Sequence, residues 1–138
     1  MEIMIETERL LLEKLAIEHM EGLYSLLSNK AVHKYFPKVL NRSESEEFFK
    51  MVQRHYQEDG YCFWAVIRKS DSKFIGICGP LKQIIDDIEE IEVAYRIIDS
   101  YWGNGYGTEA ASGCIEYIKN ILKKKSVIAL IRPVNQQS

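Results

Sequence analysis

Apolar residues recur at helical spacing in three stretches of the chain. The first stretch predicts a helix over 18–28, and the second predicts a helix that starts near Ser43, with Glu46 at capping-box spacing, and ends near Asp59-Gly60. The third predicts a helix over 107–124 and has the clearest period. The apolar positions concerned are Met20, Leu23, Tyr24 and Leu27, then Phe48, Val52 and Tyr56, then Ala111, Ile115, Ile118 and Leu122.

Stretches typical of β-strands lie between these helices. Residues 7–15 predict a first strand, 61–68 and 74–81 predict a hairpin, and 127–131 predict a short buried strand. From residue 90 the chain alternates between a core face and a polar face. The core face holds Ile91, Val93, Tyr95 and Ile97, and the polar face holds Glu90, Glu92, Ala94 and Arg96. The order β-α-α-β-β-β-α-β predicts an α+β or α/β sheet with helices packed on it.

Composition restricts the function classes. The 138 residues suit one domain spanning 1–138, and a net charge of -2 gives no general reason to bind nucleic acid or anionic membrane. No apolar run approaches the roughly 20 residues of a membrane-spanning helix, and residues 1–9 do not have the pattern of a secretory signal. The three cysteines, Cys62, Cys78 and Cys114, lie far apart in apolar runs, which indicates buried thiols in a cytoplasmic protein.

A glycine-rich turn carries the strongest chemical signal. Gly103-Asn104-Gly105-Tyr106-Gly107 follows a predicted strand and opens a predicted helix. Glycines allow a close approach of ligand to backbone, and a helix N-terminus favours an anion, so phosphate or pyrophosphate is the expected guest. The dinucleotide fingerprint fits badly because Thr108 stands where its last glycine belongs, and a Walker loop would need a lysine after the glycines.

The residues around this turn are similar to a known family. Residues 101–110, Tyr-Trp-Gly-Asn-Gly-Tyr-Gly-Thr-Glu-Ala, closely resemble motif A of the GNAT N-acetyltransferase superfamily, most of all its RimJ/RimL-like branch of ribosomal-protein-alanine acetyltransferases. Four further segments agree in the same order along the chain. They are Thr7-Glu8-Arg9-Leu10-Leu11-Leu12, Phe74-Ile75-Gly76, Glu92-Val93-Ala94-Tyr95 and Pro133-Val134-Asn135-Gln136-Gln137-Ser138.

This resemblance implies a fold and a reaction. The fold would be a central mixed, mostly antiparallel sheet flanked by helices, cut short after its fifth strand. The reaction would be direct attack of a primary amine, either a protein α-amino group or a small amine, on acetyl-CoA without a metal. Glu92 is the candidate base, Ser138 would assist the leaving sulfur, and Asn135 would hold the pantetheine arm. Ile97 and Ile98 would pair their backbone with that arm. The pyrophosphate would lie at Trp102, Gly103, Asn104, Gly105, Tyr106, Gly107 and Thr108.

Two departures from the family pattern leave alternatives open. Arg96 replaces a usual tryptophan or apolar residue, which changes the expected acceptor side. The sequence stops at Ser138, before the helix and two strands that complete the family's fold. A truncated domain that only binds acetyl-CoA, or that forms a homodimer by strand or C-terminal exchange, is therefore a second hypothesis.

Several other side chains have two interpretations. Tyr61 and Trp64 either line an acceptor cleft or pack in the core, and the core is favoured for both. Packing is also favoured for Tyr95. His19, His33 and His55 have no partner at a recognisable spacing, so no histidine nucleophile or metal site is predicted. Residues 33–41 are expected to border the acceptor.

Overall fold

The computed structural model describes residues 2–34, 38–123 and 127–129, and within these ranges one sheet has six strands in the order β1-β2-β3-β4-β5-β6. Neighbouring strands from β1 to β5 are antiparallel, whereas β6 runs parallel to β5. The strands are β1 (Ile3–Glu6), β2 (Leu10–Lys14), β3 (Trp64–Arg68), β4 (Lys73–Ile85), β5 (Ile88–Ile97) and β6 (Val127–Ala129). This confirms the predicted α+β class and the mixed, mostly antiparallel sheet.

Three α-helices flank the sheet in the described part of the chain. They are α1 (Met20–Leu27), α2 (Arg42–Glu58) and α3 (Tyr106–Tyr117). A π-helical turn, Ile118–Leu122, extends α3 close to the predicted end of that helix. The buried side chains of α3 and its extension are Ala110, Cys114 and Ile118, whereas Ala111 and Ile115 are only partly buried. The buried face of the helix is therefore rotated slightly from the face that the sequence predicts.

The sheet separates two hydrophobic clusters. One cluster lies between the sheet and α3 and includes Ile91, Val93, Tyr95 and Ile97, as the alternation of β5 predicts. The other lies between the sheet and the pair α1 and α2, and it contains Ala94 from the opposite face of β5. The two faces of β5 therefore look into different halves of the molecule.

The N-terminal strand is double rather than single. Residues 7–15 predict one strand, but Thr7, Glu8 and Arg9 form a turn between β1 and β2. The turn is closed by the Thr7 amide, which donates to the Leu10 carbonyl at 2.9 Å, and by the Leu10 amide, which donates to Thr7 Oγ1 at 3.1 Å. The additional strand, β1, pairs only with β2 and leaves Ile3 half exposed at the edge of the sheet.

The N-terminal cap of α2 also differs from the prediction. Asn41, not Ser43, is the cap: its Oδ1 accepts from the Glu44 amide at 2.8 Å, and Glu44 Oε1 accepts from the Asn41 amide at 3.0 Å. The capping box therefore begins two residues earlier than the spacing of Ser43 and Glu46 predicts. Asn41 with Glu44 and Ser43 with Glu46 both have capping-box spacing, and the path of the chain into the helix determines which pair forms the cap.

Asn41→Ala should lower the free energy of unfolding by about 1 kcal/mol, because it removes the acceptor of an otherwise unpaired helix amide. Urea unfolding followed by circular dichroism measures this change. Ser43→Ala is the matched control and should stay within about 0.5 kcal/mol of the unaltered protein, because Ser43 is an exposed helix residue. An equal loss in both variants would contradict the assigned cap.

Candidate functional site

The glycine-rich turn connects β5 to α3 and leaves the start of the helix open. Gly103 has φ 85° and Gly105 has φ 79°, and Gly105 is the N-cap of α3 in the left-handed region. Among the described residues no side chain caps this end, so the amides of Tyr106, Gly107 and Thr108 keep the donor capacity of a helix N-terminus. A Cβ on Gly103 would meet no atom of the described residues within 4 Å. The turn thus has the features of an anion site.

Two predicted contact residues hold the turn itself. The Trp102 indole donates from Nε1 to the Ile97 carbonyl at 2.7 Å, which ties the turn back to the end of β5. The Asn104 amide donates to the Tyr101 carbonyl at 3.0 Å, so its Nδ2 is engaged within the turn. Tyr106 is 8% exposed and packs in the cluster under α3, which leaves its backbone amide as the group available to a ligand.

A network that the sequence reasoning did not identify anchors the first turn of α3. Glu109 accepts from Thr7 Oγ1 at 2.5 Å, from the Arg9 amide at 2.9 Å and from Arg9 Nε at 2.6 Å. The Arg9 guanidinium also lies 4.5 Å from the centre of the Tyr106 ring, and its NH2 group lies 3.7 Å from the position of a Cβ on Gly105. Both partners stand in segments that resemble the family, but their pairing is visible only in three dimensions.

Ile97 and Ile98, at the end of β5, direct their backbone groups to opposite sides of the strand. The Ile98 amide donates to the Ile75 carbonyl of β4 at 2.9 Å, and the Ile98 carbonyl accepts from the Tyr101 amide at 2.9 Å. Because backbone groups alternate sides along a strand, the groups of Ile97 face away from β4. This corrects the expectation for Ile98, whose backbone is used inside the chain.

Glu92 lies on the polar face of β5, on the side of α1 and α2. It stands opposite Leu81 of β4, and Gln83 Nε2 donates to its carboxylate at 3.4 Å. Arg96 lies on the same face, where its NH1 group is 3.2 Å from His33 Nε2 and its guanidinium is 5.8 Å from the centre of the Phe48 ring. The unusual Arg96 therefore contributes to the half of the molecule in which the acceptor was expected.

A cleft of about 270 Å³ opens between the C-terminal half of α2 and β4, and its lining includes Leu81 and Gln83, the β4 neighbours of Glu92. The Cys62–Phe63 segment crosses β4 so closely that a Cβ on Gly79 would lie 2.4 Å from the Cys62 carbonyl oxygen. Tyr61 is 6% exposed and Trp64 is 1% exposed, and both pack in the core cluster as predicted, although Tyr61 also lines the cleft. The cleft is lined by Met51, His55, Asp59, Tyr61, Cys62, Phe63, Leu81, Lys82 and Gln83.

The three histidines all have side-chain partners, and for His19 and His33 the sequence spacing gives no sign of them. His19 is buried with Glu13, its Nε2 2.9 Å from the carboxylate, and His33 contacts Arg96. His55 Nδ1 lies 2.8 Å from Asp59 Oδ2, an i,i+4 pair on α2 that the spacing His-x-x-x-Asp would have indicated. Within the described ranges, no three His, Cys, Asp or Glu side chains gather into a group that could hold a metal ion.

Two predicted site residues, Asn135 and Ser138, lie outside the described residues. The described part of the site therefore consists of the turn from Trp102 to Thr108, the end of β5, Glu92 and the cleft. The turn lies at the end of β5, and the cleft lies on the side of β5 that carries its polar face.

Comparisons with known proteins identify the family. A model of the acetyltransferase (GNAT) domain matches residues 9–138. YkkB of Bacillus subtilis is 30% identical over 133 residues, a match that covers 96% of this chain and 77% of YkkB. The chain therefore belongs to the GNAT acetyltransferase family, and it is an N-acetyltransferase of that family.

Solved structures agree on the fold. An acetyltransferase of the GNAT family from Bacillus anthracis superposes with a TM-score of 0.78 at 24% identity, over 97% of this chain and 76% of that one. The microcin C7 self-immunity acetyltransferase MccE, solved in complex with acetyl-CoA and AMP, gives a TM-score of 0.66 at 19% identity, over 91% and 69% of the two chains. No helix in the described ranges is both long and apolar enough to cross a membrane.

Glu109→Gln should destabilise the protein by about 1–2 kcal/mol at neutral pH, because Thr7 and Arg9 would lose a charged acceptor. Burial alone would raise the pKa of Glu109, but these donors outweigh it and hold the pKa below the ordinary value. A depressed pKa in the folded protein gives stability that is present above the unfolded pKa of about 4.3 and lost as the pH falls through the folded value.

The difference between the two proteins should therefore be constant from pH 7 to about pH 5 and shrink below pH 4, as measured by urea unfolding at each pH. Glu116→Gln, an exposed change on the same helix, should follow the unaltered protein throughout. A difference that grows on acidification would contradict the assigned network.

Proposed function

We propose that the chain transfers the acetyl group of acetyl-CoA to a primary amine in a ternary complex, with the pyrophosphate of CoA at the glycine-rich turn. The observation that carries the proposal is the left-handed pair Gly103 and Gly105 immediately before an uncapped helix. The Arg9 guanidinium, which is paired with Glu109, lies beside Gly105 with its NH2 group 3.7 Å from the position of an added Cβ. The acetyl-CoA complex of MccE, whose fold is similar, supports the choice of ligand.

Ile97 is positioned to receive the pantetheine arm. Its backbone faces the β6 side of β5, and its carbonyl is held by Trp102, so an extended arm running from the turn would lie along this edge as an added strand does. The described pairing of β5 with β6 covers residues 91–93, which lie nearer the start of β5. The acetyl group would then reach the middle of β5, beside the face that carries Glu92.

Direct attack by the amine is favoured over an acyl-cysteine intermediate. Cys62 is the one cysteine among the described cleft residues, and burial raises the pKa of its thiol to about 11. At neutral pH only about one thiol in ten thousand would be ionised at such a pKa, and the thiolate is the nucleophile. Cys78 and Cys114 are buried in the core between β4 and α3.

Glu92 is the proposed base that takes the proton from the attacking nitrogen. The amine nitrogen attacks the thioester carbonyl carbon, the carbon–sulfur bond breaks, and the leaving thiolate acquires a proton to give CoA. Leu81 and Gln83, which line the cleft, are neighbours of Glu92 on β4, so an amine held there would approach its carboxylate past these two residues. Ser138 and Asn135 keep the roles that the family resemblance implies, assisting the sulfur and holding the pantetheine.

The acceptor is a primary amine, and the resemblance to the RimJ/RimL-like branch favours a protein α-amino group. An alanyl peptide with a free α-amino group and n-butylamine represent the two acceptor classes. Release of free CoA thiol in the presence of either amine, with mass-spectrometric detection of the acetylated product, tests the proposal. Calorimetric binding of acetyl-CoA without turnover on either amine would favour the non-catalytic alternative.

Gly105→Val should weaken acetyl-CoA binding at least tenfold, because a branched side chain at positive φ strains the turn and places its Cβ where the pyrophosphate lies. Isothermal titration calorimetry measures the change. Gly60→Val is the matched control, since Gly60 also has positive φ, 88°, with nothing within 4 Å of an added Cβ. Equal binding by the Gly105 variant and the unaltered protein would contradict a phosphate site at this turn.

Glu92→Gln should lower kcat by about 100-fold or more with little change in the KM for acetyl-CoA, because the amide keeps the size of the side chain but cannot accept the proton. Steady-state kinetics with the alanyl peptide measure both constants. Glu90→Gln makes the same chemical change two residues earlier on the same face of β5 and should leave kcat within about threefold. Similar losses in the two variants would argue against Glu92 as the base.

A further inference from the structure

The pair His55 and Asp59 has an arrangement that the proposed mechanism does not yet use. His55 Nδ1 lies 2.8 Å from Asp59 Oδ2 on the last turn of α2, and both residues line the cleft. An ionised carboxylate only accepts hydrogen bonds, so Nδ1 carries the proton and Nε2 of the neutral ring carries the lone pair. The His55 side chain is 42% exposed and that of Asp59 11%, so the ring reaches solvent in front of a mostly covered carboxylate.

The position of Asp59 works against the stability of α2. Asp59 is the C-cap of the helix, where the helix dipole is negative and an acidic side chain is unfavourable. His55 and Lys82, whose Nζ is 3.8 Å from Asp59 Oδ1, offset that cost.

The cleft places this pair on the same sheet face as Glu92. Leu81 lines the cleft and stands directly opposite Glu92 on the neighbouring strand, at the roughly 5 Å spacing of paired strands. Gln83 also lines the cleft and donates to the Glu92 carboxylate. An acceptor in this cleft would therefore contact His55 directly and reach Glu92 past Leu81 and Gln83.

The reaction requires two protons to leave the acceptor nitrogen. At neutral pH a primary amine is largely an ammonium ion, so one proton must depart before the nitrogen has a lone pair with which to attack. The second leaves as the carbon–nitrogen bond forms, and a proton finally resides on the CoA sulfur. The acceptor ammonium ion and acetyl-CoA thus yield amide, CoA thiol and one proton released to water, and the base is regenerated. A single partly buried carboxylate does not provide the route by which that proton reaches solvent.

We propose, on the basis of the acetyl transfer described above, that His55 is a catalytic residue that takes the first proton from the acceptor ammonium and releases it to water, with Asp59 as its positioning residue. Imidazole suits this step because it ordinarily changes charge between pH 5 and 8. Glu92 then takes the second proton during attack. The cleft accordingly binds acceptors in their protonated, cationic form.

The other titratable groups around His55 are compatible with this role. Asp59 faces the ring from its own helix, Tyr61 and Cys62 face the cleft from the segment after α2, and Lys82 enters from β4. Glu89 of β5 lies 3.5 Å from Lys82 Nζ and balances its charge. Burial is the main cause that raises the pKa values of both Tyr61 and Cys62, so both stay neutral in the range in which imidazole titrates.

The test is the pH dependence of kcat/KM for the alanyl peptide, whose α-amino group titrates near pH 8. His55→Asn should lose about 10- to 100-fold at pH 6.5, where the amine is protonated, and less than about threefold at pH 9.5, where it is already neutral. Added imidazole should partly restore His55→Ala at pH 6.5. A loss that is uniform across this range would overturn the proposal and indicate a structural role.

Matched variants separate the parts of the pair. Asp59→Asn should show the same pH-dependent loss in weaker form, because the ring loses the charged group that fixes its tautomer. Glu58→Gln removes an acid at the same helix end outside the cleft and should leave the profile unchanged. Glu92→Gln should lose activity at every pH, because the second proton has to be removed at every pH.

The role of His55 can also be tested by a measurement that does not depend on turnover. Nitrogen-15 NMR of the His55 ring above pH 8, without any acceptor, should show the Nδ1–H tautomer. The opposite tautomer would overturn the proposal whether or not acetylation is observed. If the unaltered protein acetylates neither amine, the proposed function itself fails. Turnover with a pH-independent deficit in His55→Asn rejects the His55 role alone.

Discussion

The structure depends most on how the chain passes from β5 into α3. Two residues in the left-handed region, Gly103 and Gly105, let the backbone reverse and start a helix within a few residues of the strand end. The Trp102 indole fixes that reversal to the Ile97 carbonyl, and the Arg9–Glu109 pair fixes the first turn of the helix to the turn between β1 and β2. The uncapped amides of α3 are thereby held in a defined position relative to β5.

Because side chains alternate along β5, its apolar and polar residues lie on opposite faces of the sheet. Odd-numbered residues from Ile91 to Ile97 send their side chains into the core under α3, and their backbone groups face away from β4. Even-numbered residues put Glu92 and Arg96 on the side of α1 and α2. One strand therefore has a backbone edge on one side and a polar face on the other, and the proposed function assigns the edge to the coenzyme and the face to the acceptor. The cleft under α2 lies on the same side of the sheet as that polar face, and it contributes a second titratable group, His55.

Local patterns were sufficient for most of the fold. The three helices and the alternation of β5 follow from spacing alone, and the glycine turn follows from the residues that a left-handed backbone requires. The extra strand β1 was missed because the Thr7 turn is recognised only by its bonds to Leu10. The cap at Asn41 was misplaced because two capping-box patterns overlap, and only the path of the chain selects one.

The site was less predictable because its bonds join distant parts of the chain. Glu109 meets Thr7 and Arg9 from the other end of the sequence, and nothing local indicates that contact. The role given to Ile98 was wrong because its backbone partners, Ile75 and Tyr101, depend on the register of β4 and on the turn that follows. The pair His55 and Asp59 was within reach, since its i,i+4 spacing is a local signal.

The measurement that tests the account most directly is the response of the α3 amides to ligand. In nitrogen-15 NMR spectra, acetyl-CoA should shift the amide signals of Tyr106, Gly107 and Thr108 strongly, because an anion at a helix N-terminus polarises those N–H groups. Pantetheine, which lacks the phosphates, should leave these three signals almost unchanged while it perturbs Ile97. Equal shifts of the three amides with both compounds, or none with acetyl-CoA, would contradict a pyrophosphate site at this turn.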